Sequence, residues 1–278
     1  MAKSATPADL QIKPRDLHID REAPTPRWWL NGDPFGTAVM NALSLTFPDG
    51  ERFFIQSVMR FAKDAPPALA SDIRAFTVQE GAHTREHMAF NAITERAGYD
   101  TAEIEAYVTA RLDIARARPA LAQLAATMAL EHFTAAFAHR LLADPELLKG
   151  SPHDLARLWR WHSIEEIEHK GVAYDVFLHA TRDLSPLKRW RIRRWAMFLT
   201  TLLFTRTVRE TTFMLLKQDG IVGWRARLGL FRWLWLKPGL YRRMIGDYLA
   251  FYKPDFHPWQ VDDRDLIADA EAGLAQPA

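Results

Sequence analysis

Four stretches of the sequence set metal-competent side chains into runs that are otherwise apolar. Glu51 stands just ahead of Phe53, Phe54 and Ile55. Glu80 and His83 are spaced Glu-x-x-His within the run QEGAH. Glu131 lies in the run MALEHF. The run WHSIEEIEHKG carries a second Glu-x-x-His, Glu166 and His169. Residues three or four apart share one face of a helix, so each such pair can reach a single ion. Two of these pairs, with single glutamates from two other helices, form the ligand set of two-metal carboxylate bundles. His162 lies on the same face of the fourth run, within roughly 60° of helix arc of Glu166 and His169. The candidate ligands are therefore Glu51, Glu80, His83, Glu131, His162, Glu166 and His169. Oxygen-rich sites with some imidazole suit iron or manganese better than four-coordinate zinc. The expected cofactor is two metal ions, with iron preferred and manganese or a mixed pair left open.

Each part taken alone has a plainer explanation. A single Glu-x-x-His is common on solvated helix faces. Glu51 could serve the helix dipole in a first turn, and Glu131 could pair with an arginine. The order Glu, Glu-x-x-His, Glu, Glu-x-x-His, one unit per helix, is what points to a metal site. Charges buried without partners are costly, so four such helices packed together need ions or paired bases. His87 shares a face with Glu80 and His83 about two turns away and is placed behind the ligands or near the mouth. Glu165 and Glu168 are assigned to the surface or to a supporting role, and His132 and His139 to structure. Asp175 or Asp72 could orient a ligating histidine. Tyr174 could line a pocket or simply pack.

Helices must position these groups, and the sequence offers little else. Apolar residues recur at helical spacing, with no sustained alternation of strand type. A polar, proline-bearing arm covers residues 1–32, its end pinned by Trp28 and Trp29. A first core helix is expected over residues 48 to about 63, and a second over about 68–97, ending at Gly98. A third opens at Thr101, is kinked or divided by Pro119, and runs to about 142. A fourth begins at Ser151-Pro152 and runs to about 181. The expected fold is all-α, a bundle core over about 48–181 with additional C-terminal helices over about 186–252. These helices are broken near Gly220 and at Pro238-Gly239, and the core and C-terminal helices form one domain over 33–260. Residues 261–278 read as a tail.

The bulk composition narrows the chemistry. The chain has 278 residues and no cysteine, which excludes disulfides, iron–sulfur clusters, thiolate zinc sites and cysteine nucleophiles. A net charge of +2 gives no reason to expect nucleic acid. The first residues lack the apolar segment of a secretory signal, and a cytoplasmic protein is expected. Residues 196–216 come nearest to a membrane span, but Arg206, Arg209 and Glu210 interrupt them. They read as a buried amphipathic helix.

The runs WHSIEEIEHKGVAYDVF, QEGAHTREH and FYKPDFHPW together resemble the predicted metal-dependent hydrolase family of ferritin-like character, over about residues 27–260. The resemblance implies a ferritin-like four-helix core. The ligand order is also similar to that of para-aminobenzoate N-oxygenase-type di-iron enzymes. That pattern implies metal-binding roles for Glu51, Glu80, His83, Glu131, His162, Glu166 and His169, with the third histidine as the shared unusual feature. The leading reading is a di-iron oxygenase or oxidase acting on a small organic substrate. The alternative is a hydrolase using metal-activated water, and a third reading is a non-enzymatic iron-binding protein. No flavin or nicotinamide fingerprint is present, so oxygen chemistry would draw on a separate electron donor. A homodimer is left open. The basic run KRWRIRR, residues 188–194, could touch an anionic membrane. It is read instead as a solvated helix start with its tryptophans packed inward.

Overall fold

The computed structural model describes residues 5–274, and among them the fold is all-α with no strand. Helix α1 spans Pro34–Met59, well ahead of the expected start at Pro48. Asp33 caps it by accepting the Phe35 N–H at 2.9 Å, with Pro34 in the first turn, where a missing N–H costs nothing. Pro48 therefore lies inside the helix. It has no N–H to give the Ser44 carbonyl one turn back, and the Asn91 side-chain amide of the next helix donates there instead, at 3.3 Å. Asn91→Ala would leave that buried carbonyl without a partner. We expect a loss of about 1–3 kcal/mol, read from urea unfolding at constant slope.

Helix α2, Pro67–Arg96, ends before Gly98, whose φ of +92° suits only glycine. Pro119 divides the third expected helix into α3, Ala102–Arg116, and α4, Ala120–Ala143. The buried Gln123 amide donates to the Arg116 and Arg118 carbonyls at 2.8 and 2.6 Å, satisfying acceptors that the helix end leaves open. The fourth expected helix is also two: α5, His153–His169, and α6, Val172–Ala180. The interruption is at Gly171, where a Cβ would come within 2.8–2.9 Å of Thr6 and Trp259. Glycine there disfavours a continuous helix and admits the arm and the later chain. Helices α7, Pro186–Gln218, α8, Gly223–Phe231, and α9, Leu240–Ala250, follow. A wide turn of π type over Arg232–Leu236 joins the last two. The breaks fall at Gly220 and Pro238-Gly239 as the sequence suggests.

The assumed tail needs correcting. Arg264–Leu274 forms helix α10, and its Ile267 is buried with Ala138, Ile164 and Ile167. Residues 275–278 of that tail, like residues 1–4 of the arm, lie outside the described residues. The described arm has no regular structure but is firmly held. Leu17, Ile19 and Trp29 are buried, and the Trp29 indole donates to Asn41 at 2.8 Å; Trp28 faces solvent in part.

Helices α1, α2, α5 and α4 pack around one axis, each touching its neighbours in that order. Two apolar layers stack along it. One holds Phe47, Phe90 and Trp159, and the other Phe53, Phe76 and Met128. Glu51, Glu80, Glu131 and Glu166 fall between these layers in sequence on their helices, so the polar centre is enclosed above and below by aromatic side chains.

The C-terminal third departs from expectation on its outer side. Trp233 and Trp259 are buried, but Trp195 is 63% and Trp224 69% exposed, so the tryptophans are not all packed inward. Leu199, Leu202 and Leu203 are also exposed, and the segment 196–216 is only half buried. Among the described residues no helix is long and apolar enough to cross a membrane.

Candidate metal centre

All seven sequence-derived ligands meet inside the α1–α2–α4–α5 bundle, and each is buried. Donor atoms of Glu80, Glu131 and His169 lie within 4.8 Å of one another, as do those of His83, His162 and Glu166. Glu51 groups with Glu80 and His83, and also with His87 and His162. The His169 Nε2 atom is 3.2 Å from Glu80, 3.4 Å from Glu131 and 3.5 Å from Glu166. His162 Nε2 is 3.0 Å and His83 Nδ1 3.6 Å from the other oxygen of Glu166. Glu166 is thus the carboxylate that all three histidines approach.

The inward-facing atoms are short of partners. Among the described residues, both oxygens of Glu80 and Glu131, one each of Glu51 and Glu166, His83 Nδ1 and His169 Nε2 have no hydrogen bond. A buried polar atom normally has one. Here eight unpartnered donor or acceptor atoms of six residues face one space. Such a set could hold a metal ion, because acceptor lone pairs that point at each other repel unless a proton or a cation lies between them.

The outward-facing atoms are, by contrast, fully engaged, and their partners settle which nitrogen of each ring carries hydrogen. The Ser44 carbonyl can only accept, so the Asn91 nitrogen faces it and the Asn91 oxygen takes the Ser44 hydroxyl hydrogen at 2.7 Å. His87 Nδ1 must then donate to the Ser44 oxygen at 2.9 Å. Its Nε2 is left to accept from His162 Nδ1, also at 2.9 Å. His162 therefore presents the Nε2 lone pair to the centre. The Gln79 amide nitrogen donates to Glu168 at 2.9 Å, which turns its oxygen to His169 Nδ1 at 2.9 Å. His169 likewise presents Nε2 inward. Ionised Glu165 can only accept, so His83 Nε2 donates to it at 3.0 Å, leaving Nδ1 for the centre. Partners of this kind fix ring orientation and raise ligand basicity in metal sites.

Arg15 closes this outer layer from the arm. Its guanidinium holds Glu168 through both oxygens at 3.0 and 2.6 Å. It also reaches Glu271 of α10, while the Arg15 backbone N–H donates to Glu165 at 2.7 Å.

Burial pushes the Glu51, Glu80 and Glu131 carboxyls well above the ordinary glutamate value, and the neighbouring carboxylates add to this. Burial acts on Glu166 in the same sense, but His169 and His162 hold it well below that value. Burial and the adjacent imidazoles depress His83 and His87, keeping both neutral. Glu165 is raised by burial to about 7, against the pull of Arg15. The pH consequence follows from Glu51, Glu80 and Glu131. In the metal-free chain each keeps a proton at pH values where the unfolded chain has released it, so stability falls as pH rises above about 4.5. Metal loading must displace those protons, so affinity rises over the same range. Melts with chelator at about pH 5 and about pH 8 should show the metal-free protein less stable at the higher pH. Metal-loaded protein should reverse that order.

The structure decides between roles the sequence left open. Of the surface and supporting roles open to Glu165 and Glu168 it has the second, both being buried behind His83 and His169. His87 takes the first of its two expected places, behind the ligands: it is buried, with both ring nitrogens hydrogen-bonded, and so supports His162. Asp175 lies against Thr6 and His257. His132 and His139 bond to the Asp247 carbonyl and to Asp263, in keeping with structural roles. Tyr174 lines a cavity of about 460 Å³ with Phe177, Trp190, Arg193 and Phe256. The supporting residues Gln79, Ser44, Asn91 and Arg15 were missed. Ser44 and Asn91 carried a signal, as polar residues inside apolar helical runs.

The family model described as a predicted metal-dependent hydrolase matches residues 13–262. No curated protein and no solved structure is similar enough to the chain to count as a match.

Proposed function

The chain belongs to the predicted metal-dependent hydrolase family, and from that premise we propose that the glutamate–histidine cluster holds two metal ions that carry an enzymatic reaction. The carrying observation is the set of buried, partnerless donor atoms converging from four helices. In this reading Glu80, Glu131 and His169 serve one ion and His83, His162 and Glu166 the other, with Glu51 beside both. Iron fits the oxygen-rich donor set, as does manganese. Ions held there would supply either a water activated for attack on a carbonyl or phosphoryl group, or electrons for reducing dioxygen.

The family description supports the hydrolytic reaction, given above as the alternative, better than the oxygen-dependent one. A specific feature nevertheless favours the second. The donor groups are at most 5% exposed and lie between two aromatic layers. Such an enclosure keeps bulk water out and admits a small apolar gas more readily than a polar ester. The residues do the same work in both cases. The histidines are held in one tautomer, and the carboxyls give up protons on loading. An oxidase or oxygenase would take electrons from a separate donor.

Loading the chain with ferrous iron or manganese and running two assays separates the readings. Turnover of ester or phosphoester substrates under argon, lost in Glu166→Ala, supports hydrolysis. Iron-dependent oxygen uptake, lost in the same variant, with no argon turnover, supports the oxygen reaction. Neither activity, together with iron release on demand, would make the chain a non-enzymatic iron-binding protein.

A further inference from the structure

The outer face of α7 carries an apolar strip that none of the described residues covers. Trp195, Phe198, Leu199, Leu202 and Leu203 are each 44–63% exposed, and their spacing puts them on one side of the helix. The strip is about 13 Å long at 1.5 Å per residue. Arginines bound it at both ends, Arg191 and Arg194 before it and Arg206 and Arg209 after it. Helix α9 runs beside α7, because Phe204 and Tyr248 both lie on Phe133 of α4, at ring distances of 5.9 and 6.0 Å. It carries the exposed Ile245 and Leu249.

Charge identifies the occupant. Residues 186–252 hold fourteen lysines and arginines against three acidic residues. Those three, Glu210, Asp219 and Asp247, are already paired with Arg209, Arg27 and Arg140. The face is therefore apolar in the middle and cationic around it, with tryptophan at its edge, the composition of a helix lying in a bilayer interface. An apolar run of this length between arginines cannot cross a bilayer. A second copy of the chain would bring the same cationic rim against this one and be repelled. We propose that this face of α7 and α9 docks the protein on an anionic lipid surface, along which it lies without crossing.

The test is sedimentation of the full chain with vesicles of phosphatidylcholine alone or mixed with phosphatidylglycerol, at low and high salt. Binding to the anionic vesicles, weakened by salt and absent with pure phosphatidylcholine, is expected. Each basic residue near such a surface is worth roughly a fivefold change in partitioning. Arg191→Glu with Arg206→Glu should therefore weaken binding about 25-fold or more. Leu202→Ser with Leu203→Ser should also release the protein while leaving its circular dichroism and melting midpoint unchanged, since both side chains are exposed. Failure of the wild-type chain to pellet with anionic vesicles at low salt would overturn the proposal. So would wild-type binding by both variants. A stable dimer that the leucine variant dissolves, with no vesicle binding, would assign the face to a second copy instead.

Discussion

Glu131→Gln is expected to abolish binding of one metal ion and to make the metal-free chain more stable, by about 1–3 kcal/mol. Both Glu131 oxygens are buried without a hydrogen bond, and burial raises its carboxyl well above the ordinary value. Keeping such a group in the folded state costs free energy at neutral pH, and the neutral amide of the same shape removes most of that cost. Loading works in the opposite sense. An ion at a thousandfold excess over its dissociation constant stabilises the folded chain by about 4 kcal/mol, roughly 10 °C in melting midpoint for a chain of this size. The wild-type protein should gain that increment and Glu131→Gln should lose much of it. Urea unfolding with and without chelator measures both. A variant less stable than wild type in chelator would mean that Glu131 serves the fold rather than an ion.

Arg15→Met is the second large effect, and it acts from the arm, outside the bundle. Glu165 and Glu168 are almost fully buried, and Arg15 is the only base in ion-pair contact with Glu168 among the described residues. Removing one partner of a buried pair leaves the other charge without compensation, at a cost of about 3 kcal/mol or more. Because Glu168 holds Gln79 and Gln79 holds His169, metal affinity should fall as well, by about 10–100-fold. Glu271→Gln, on the exposed side of the same cluster, should change neither by much. Equal effects of the two substitutions, read from melts and metal titrations, would contradict the role given to Arg15.

The seven inward-facing residues were legible in the sequence because helical spacing is local: three or four residues apart means one face, whatever the helix packs against. Arg15's part in the supporting layer was not, since Arg15 meets Glu168 across more than half the chain and no local pattern encodes that meeting. For Glu165 and Glu168 the spacing left both a surface and a supporting role open, for the same reason. Pro48 was misread as a helix start because the amide that replaces its missing hydrogen bond comes from Asn91 on another helix. The tail was misread because the apolar side of α10 is short, and Ile267 shows its purpose only once Ile164 and Ile167 lie opposite. On α7 the apolar spacing correctly gave a helix. Spacing does not say which side faces the protein, and the strip from Trp195 to Leu203 faces out.

The central claim is a two-ion site built from the carboxylates and imidazoles of four helices. Its most direct test is anaerobic reconstitution with ferrous iron, followed by metal analysis of the desalted protein beside Glu80→Ala and Glu166→Ala. About two ions per wild-type chain, with few or none in Glu166→Ala and a clear loss in Glu80→Ala, is the predicted result. No bound metal in the wild-type chain, or equal binding in all three proteins, would contradict it.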